Sequence, residues 1–249
     1  NLEGSDVYKW HGARAEIESF KLSNGKTAYL TVGQKMELYA LMQRKQAVGH
    51  ILGSGIEIES QRYKGSKIKS VPKVRTRITY EETMNIIKSL TPEQREFADS
   101  ILTFLQTTCA DWGNETSRRM FGYEKFGESN YYPIHTSRNY IAETSNPAAN
   151  VPKLINGGAT KATVIGANNP IVIGDFFDTV TTHIDFMTKY NAYVPAITDM
   201  ERLLNYTSKD ESTNLINNSV KSMIDEKYGK SYNEYIRRLL SDINTKRAQ

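Results

Sequence analysis

TPEQREFADSILTFLQTTCADWGNETSRRMFG, residues 91–122, decides the fold class. Thr91 with Gln94 three residues on has the form of a capping box, and Pro92 stands at the first helical position. Phe97, Ile101, Phe104, Leu105 and Trp112 recur at helical spacing, which predicts one long helix with a single core-facing stripe. Gly122 supplies the stop. Cys109 lies within the stripe region, has no base beside it in sequence, and reads as a small core residue rather than a nucleophile.

Outward from this helix the same signals recur. Thr79 with Glu82 caps a preceding helix, and Thr31 with Gln34 caps one that runs to about His50 and ends before Gly53. Ahead of it, Ile17 to Thr31 reads as a β-hairpin closed by a two-residue turn at Asn24-Gly25. Residues Gly55 to Ile78 look extended. On the other side, Tyr123 to Asn169 is a long polar stretch punctuated by Asn146-Pro147, Val151-Pro152 and Gly157-Gly158, the pattern of a connecting or binding segment. Helices resume near Gly174 and run to about Tyr190. Pro195 is expected to interrupt, before a further stretch to about Tyr206. Ser208 with Glu211, and Ser231 with Glu234, cap the last two helices, the first ending at Gly229.

The expected fold is therefore mainly α, with α+β a defensible label: a helical bundle-like domain with a small N-terminal β-hairpin and an extended basic β-ribbon. Its parts are 1–78 (hairpin, helix and ribbon), 79–122 (helical hairpin), 123–170 (irregular connection) and 171–249 (C-terminal helices).

Composition limits the function classes. Apolar residues make up 39% and charged residues 24% of the 249, which is globular rather than disordered. The single cysteine excludes an internal disulfide and a cysteine-based zinc site. No apolar run reaches the roughly 20 residues of a membrane span, and no signal peptide is expected at the chain's start. A cytoplasmic setting without membrane contact is expected. The chain starts at Asn1 rather than methionine, as expected for a segment of a longer polypeptide.

The formal charge of +4 is mild, but its distribution is not. Arg62, Lys64, Lys67, Lys69, Lys73, Arg75 and Arg77 crowd one segment that holds no acidic residue. Lys67, Lys69, Lys73, Arg75 and Arg77 occupy odd positions, while Ile68, Val74 and Ile78 occupy even ones. In a strand this gives one cationic and one apolar face. Such a ribbon suits a row of phosphates on DNA or RNA, with Tyr63 to stack on a base. A solvated edge protected from aggregation by its lysines competes with it.

Other constellations are thinner. Asp175, Asp178, His183 and Asp185 suggest a metal site, but at about 100° per residue Asp178, Thr182, Asp185 and Lys189 share one helix face. His183 falls opposite, with Phe176, Val180, Met187 and Tyr190. Neither a metal nor a cofactor is expected. Tyr131-Tyr132-Pro133-Ile134-His135 is suited either to binding or to packing a loop onto a core. An enzymatic alternative uses His135 with Glu115 or Glu124 as acid and base, and Arg118 or Arg119 as anion clamp. No phosphate loop, dinucleotide fingerprint, nucleophile elbow or zinc-protease helix occurs. A third alternative is a protein-binding or oligomerisation surface at Tyr190 and Tyr193.

Several stretches resemble the large polyvalent multidomain proteins of bacteriophages and conjugative or mobile elements. They are Leu30-Thr31-Val32-Gly33-Gln34 on through Leu38-Tyr39-Ala40-Leu41 to Arg44-Lys45-Gln46-Ala47-Val48-Gly49-His50; Trp112-Gly113-Asn114-Glu115; Asn130-Tyr131-Tyr132-Pro133-Ile134; and Tyr190-Asn191-Ala192-Tyr193-Val194-Pro195-Ala196 through Leu203-Leu204-Asn205-Tyr206. They are scattered from about residue 15 to 245 and contain no catalytic signature. The resemblance implies a helical region within a longer chain, in a nucleic-acid-centred setting and beside other domains of its parent polypeptide. It assigns no functional residue.

Overall fold

The computed structural model describes residues 17–60, 73–127, 131–136, 169–205, 218–229, 234–235 and 238. Over these residues the chain is mostly helical with small sheets. The first described elements form an antiparallel hairpin, β1 (Ile17–Lys21) and β2 (Thr27–Thr31), in the register Ile17↔Thr31. The turn is wider than the expected two residues. The Leu22 N–H donates to the Lys26 carbonyl at 2.9 Å, the Gly25 N–H donates to the Leu22 carbonyl at 3.0 Å, and Gly25 sits at φ +79°. One residue more than a two-residue loop lets a right-handed turn be followed by a left-handed glycine.

Thr31 then caps α1 (Val32–Met42) through the full box with Gln34. The helix expected to continue to His50 instead breaks at Gln43-Arg44 and restarts as α2 (Lys45–Ser54). β3 (Ile56–Ile58) comes next, then β4 (Val74–Thr76), α3 (Tyr80–Lys88) and α4 (Pro92–Phe104). Both helices carry the capping boxes legible in sequence, Thr79 with Glu82 and Thr91 with Gln94. Glu82 also accepts from the Ser23 N–H at 2.5 Å, tying the hairpin tip to α3. That bond, with the Thr79 N–H, pulls its carboxyl down to about 2.

A π-helical turn, Leu105–Cys109, joins α4 to α5 (Ala110–Phe121). It corrects the single-stripe expectation. One extra residue in a turn rotates the downstream residues by about 100°. Up to Cys109 the buried positions are Ala98, Leu102, Leu105 and Cys109; beyond it they are Gly113, Asn114, Thr116, Ser117 and Met120. Trp112 is thereby turned out and is 43% exposed. Burial pushes the Cys109 thiol up to about 11, which suits an inert core residue.

β5 (Ile171–Ile173) is not expected from the sequence, because three apolar residues at the end of a long polar stretch give no period to read. It pairs parallel with β3, and β4 pairs antiparallel on β3's other side, giving the order β4-β3-β5. The buried strand Ile56-Glu57-Ile58 is the centre of this sheet. α6 (Phe176–Asn205) is continuous and carries Pro195 inside it, contrary to the expected interruption. α7 (Asn218–Tyr228) ends at Gly229, φ +96°. Ser208, Glu211 and Ser231 lie outside the described residues.

The chain divides into two compact units. The first comprises Asn1–Cys109, Glu128–Thr144 and Ala162–Ile184. There α1 packs on α2, α3, α4, β2 and β5 and is buried along nearly its whole length. The second comprises Ala110–Gly127, Ser145–Lys161 and Asp185–Gln249. Its core gathers Met120, Tyr190 and Val194 with Phe121, Phe126, Phe186 and Ile197 around them. Gly113 touches this core so closely that a Cβ there would lie 2.4 Å from Met187 Cε.

Gly55 joins α2 to β3 at φ 82° and ψ −170°, a region open essentially to glycine alone. A Cβ there would lie 2.4 Å from the Thr76 carbonyl oxygen, so the β3–β4 pairing admits no side chain. Gly55→Ala should lower the unfolding free energy by about 3 kcal/mol. Urea titration checks this, and an unchanged midpoint would mean that β4 does not pair here.

Candidate functional site

Two features of the first unit gather polar chemistry. The first is the end of the basic segment. Lys73, Arg75 and Arg77 are exposed, while Val74 is half-buried and Thr76 and Ile78 are buried. Lys67, Lys69 and Tyr63 lie outside the described residues. Among the described residues β4 is an edge strand, and hairpin-tip side chains bond along it. Lys26 Nζ donates to the Arg75 carbonyl at 2.9 Å, and Asn24 Nδ2 donates to Thr76 Oγ1 at 2.7 Å and to the Arg77 carbonyl at 3.2 Å. Lys73 pairs with the buried Glu57 at 2.7 Å. Among the described residues, Lys26, Arg75 and Arg77 form no ion pair.

The second is a buried polar cluster centred on Glu37, which α1 carries into the core at 1% exposure. Its two carboxylate oxygens take separate donors. The Tyr132 hydroxyl donates to Oε2, and Thr179 Oγ1, from α6, donates to Oε1 at 3.3 Å. Tyr132 is fully buried, with its ring stacked 5.8 Å from that of Phe176. Asp175 is buried beside them; its Oδ1 accepts from the Phe177 N–H at 3.0 Å. The Asp175 carboxylate lies against the first turn of α1, so closely that a Cβ on Gly33 would come within 2.3 Å of it.

The segment Tyr131–Thr136 is fastened on several sides. Arg44 Nη1 donates to the Tyr132 carbonyl at 3.0 Å, with its guanidinium carbon 5.6 Å from the Tyr131 ring centre. The Val172 N–H donates to the His135 carbonyl at 2.8 Å, and Thr136 bridges Ile171, so the segment runs beside β5. Tyr131 packs on His183 at 5.2 Å between ring centres.

Burial pushes the Glu37 carboxyl up to about 7, with Asp175 adding to the rise and Tyr132, His135 and Thr179 opposing it. Burial, reinforced by Glu37, raises the Tyr132 hydroxyl well above its usual range. Burial also pulls His183 down to about 4, helped by His135. A carboxyl that titrates near pH 7 within electrostatic reach of His135 can move a proton near that pH.

His135 thus meets Glu37 and His183 electrostatically. It belongs to the first unit, whereas Glu115, Glu124, Arg118 and Arg119 belong to the second. There the Arg118 guanidinium donates to the Glu124 carboxylate, Arg119 lies 4.0 Å from Asp199, and Glu115 is exposed. Along α6, Asp178, Thr182, Asp185 and Lys189 are exposed and His183 is buried. Tyr190 is buried and bonded to Ser117 at 2.9 Å, so of the expected tyrosine pair only Tyr193 faces solvent. Sequence reasoning passes over Glu37, Arg44 and Thr179. The one available signal is an acidic residue amid Met36, Leu38, Ala40 and Leu41.

Among the described residues, no group of three or more His, Cys, Asp or Glu side chains is placed to hold a metal ion, and no helix is long and apolar enough to cross a membrane. No protein-family model, curated protein or solved structure matches the chain.

The two shifted groups give opposed pH dependences. Glu37 titrates at about 7 folded against 4.5 unfolded, so the folded state holds the extra proton and stability falls as pH rises from 4.5 to 7. His183 titrates at about 4 against 6.5, so the folded state is short of a proton and stability rises from pH 4 to 6.5. Each is worth roughly 3 kcal/mol, so between pH 4.5 and 6.5 they nearly cancel. Glu37→Gln should unmask a stability that climbs with pH, and His183→Gln one that falls. Denaturant midpoints across this range measure both, and a flat profile in both variants would refute the assignment.

Proposed function

We propose that this chain is a non-catalytic structural and interaction module of a larger phage or mobile-element protein. In this reading it works in the cytoplasm and contacts nucleic acid through the cationic face of its basic ribbon. The observation that carries the reading is the exposed set Lys73, Arg75 and Arg77, with Arg75 on β4 and the other two flanking it, alternating with half-buried Val74 and buried Thr76 and Ile78. Alternate strand residues lie about 6.6 Å apart, so such a row presents cations at intervals a phosphate backbone can follow. Phosphate contacts position without reading sequence, which suits a module whose specificity lies elsewhere in its parent.

An enzymatic reading is favoured by one observation, the Glu37 carboxyl held near pH 7 within electrostatic reach of His135. It replaces Glu115 and Glu124 with Glu37 as the acid–base partner. Since Glu37 and Tyr132 are 1% and 0% exposed, it requires residues 131–136 to open. Slow backbone hydrogen exchange throughout that segment would exclude it.

The leading proposal is tested with labelled DNA and RNA oligonucleotides across a salt series. Log affinity should fall linearly with log salt, and reversing Lys67, Lys69, Lys73 and Arg75 to Glu should abolish binding. Unchanged binding after reversal would place any affinity elsewhere, and no binding at low salt would leave the ribbon a solvated edge.

A further inference from the structure

We infer that the ligand of the cationic face is a single-stranded nucleic acid, gripped by Lys26 from the hairpin tip together with Arg75 and Arg77, with Tyr80 as the stacking platform for an unpaired base. This deepens the reading above and rests on it. Three placements carry the inference. Lys26 is not part of the basic segment in sequence, yet its ammonium lies 2.9 Å from the Arg75 carbonyl, so the hairpin adds a cation to the row. The same tip is held rigidly: Asn24 bonds Thr76 and Arg77, and the Ser23 N–H bonds Glu82. Tyr80, three residues beyond Arg77 at the first position of α3, is 56% exposed, while its neighbour Thr79 is fixed by the capping box.

Two features bear on which nucleic acid. Side chains of the hairpin tip occupy the Arg75 and Arg77 carbonyls on the outer edge of β4, so an added peptide strand would have to displace them; side chains remain the available recognition elements. An exposed tyrosine three residues along the chain from Arg77 gains little from a duplex, whose bases are already stacked, and much from a strand whose bases are not. Acidic neighbours set the limit of the patch. Glu82 is engaged by Ser23 and Thr79, and Glu57 by Lys73, which leaves Glu81 as the exposed opposing charge at this end of α3.

The test is fluorescence anisotropy of the whole chain with a labelled 15-nucleotide oligothymidine and with a 15-base-pair duplex, at fixed low salt. The single strand is expected to bind at least tenfold more tightly. Tyr80→Ala should weaken it about tenfold, while Tyr80→Phe keeps full affinity; Lys26→Glu should weaken it too. Circular dichroism confirms that each variant is folded. Equal affinity for the duplex, or a folded Tyr80→Ala that binds as well as the parent chain, overturns the single-strand inference while leaving phosphate binding intact. If Arg75→Glu with Arg77→Glu also binds unchanged, the cationic-face reading itself falls.

Discussion

The first unit is organised around a carboxyl group deep in its interior. Burying Glu37 would cost several kcal/mol if the carboxyl were ionised and unpartnered. Two donors, the Tyr132 hydroxyl and Thr179 Oγ1, offset part of that cost, and uptake of a proton near neutrality offsets more. Because the donors come from segments about 95 and 142 residues away in the chain, one side chain on α1 fixes both the loop at 131–136 and the start of α6.

Around this centre the backbone is fitted closely. Gly33 leaves room for the Asp175 carboxylate, and Gly55 for the Thr76 carbonyl. The break between α1 and α2 places Arg44 where its guanidinium reaches the Tyr132 carbonyl. An uninterrupted helix to His50 would have carried Arg44 round the α1 axis instead. Buried polar groups of this kind penalise alternative packings that leave them unpartnered. The cationic face is different in kind: it is built from surface residues, and the hairpin tip that covers the edge of β4 fixes where they stand.

Local chemistry is legible in the sequence and long-range chemistry is not. The three threonine caps and the stop at Gly122 depend on residues within about four positions of each other and are present where the local pattern puts them; the hairpin is present too, with a wider turn than its Asn24-Gly25 signal suggests. The alternation from Lys73 to Ile78 is equally local. Pro195 misleads because its missing N–H and its ring clash favour a helix end, yet α6 runs through it. β5 escapes notice because three residues carry no period. The partners of His135 escape it because sequence proximity suggests Glu115 and Glu124, whereas the fold brings Glu37 and His183 to it. The true neighbours are set by packing, which no local pattern encodes.

The π turn at Leu105–Cys109 also sets how the helix would respond to a change in chain length. An α-helix that gains one residue must either shift every later side chain to a new face or confine the surplus to a single wide turn. The second outcome keeps both flanking faces in use: Ala98, Leu102 and Leu105 stay inward before it, and Gly113, Ser117 and Met120 stay inward after it. Loss of one residue inside this turn would leave both faces in place, whereas the same loss elsewhere in either helix would turn every later side chain by about 100°.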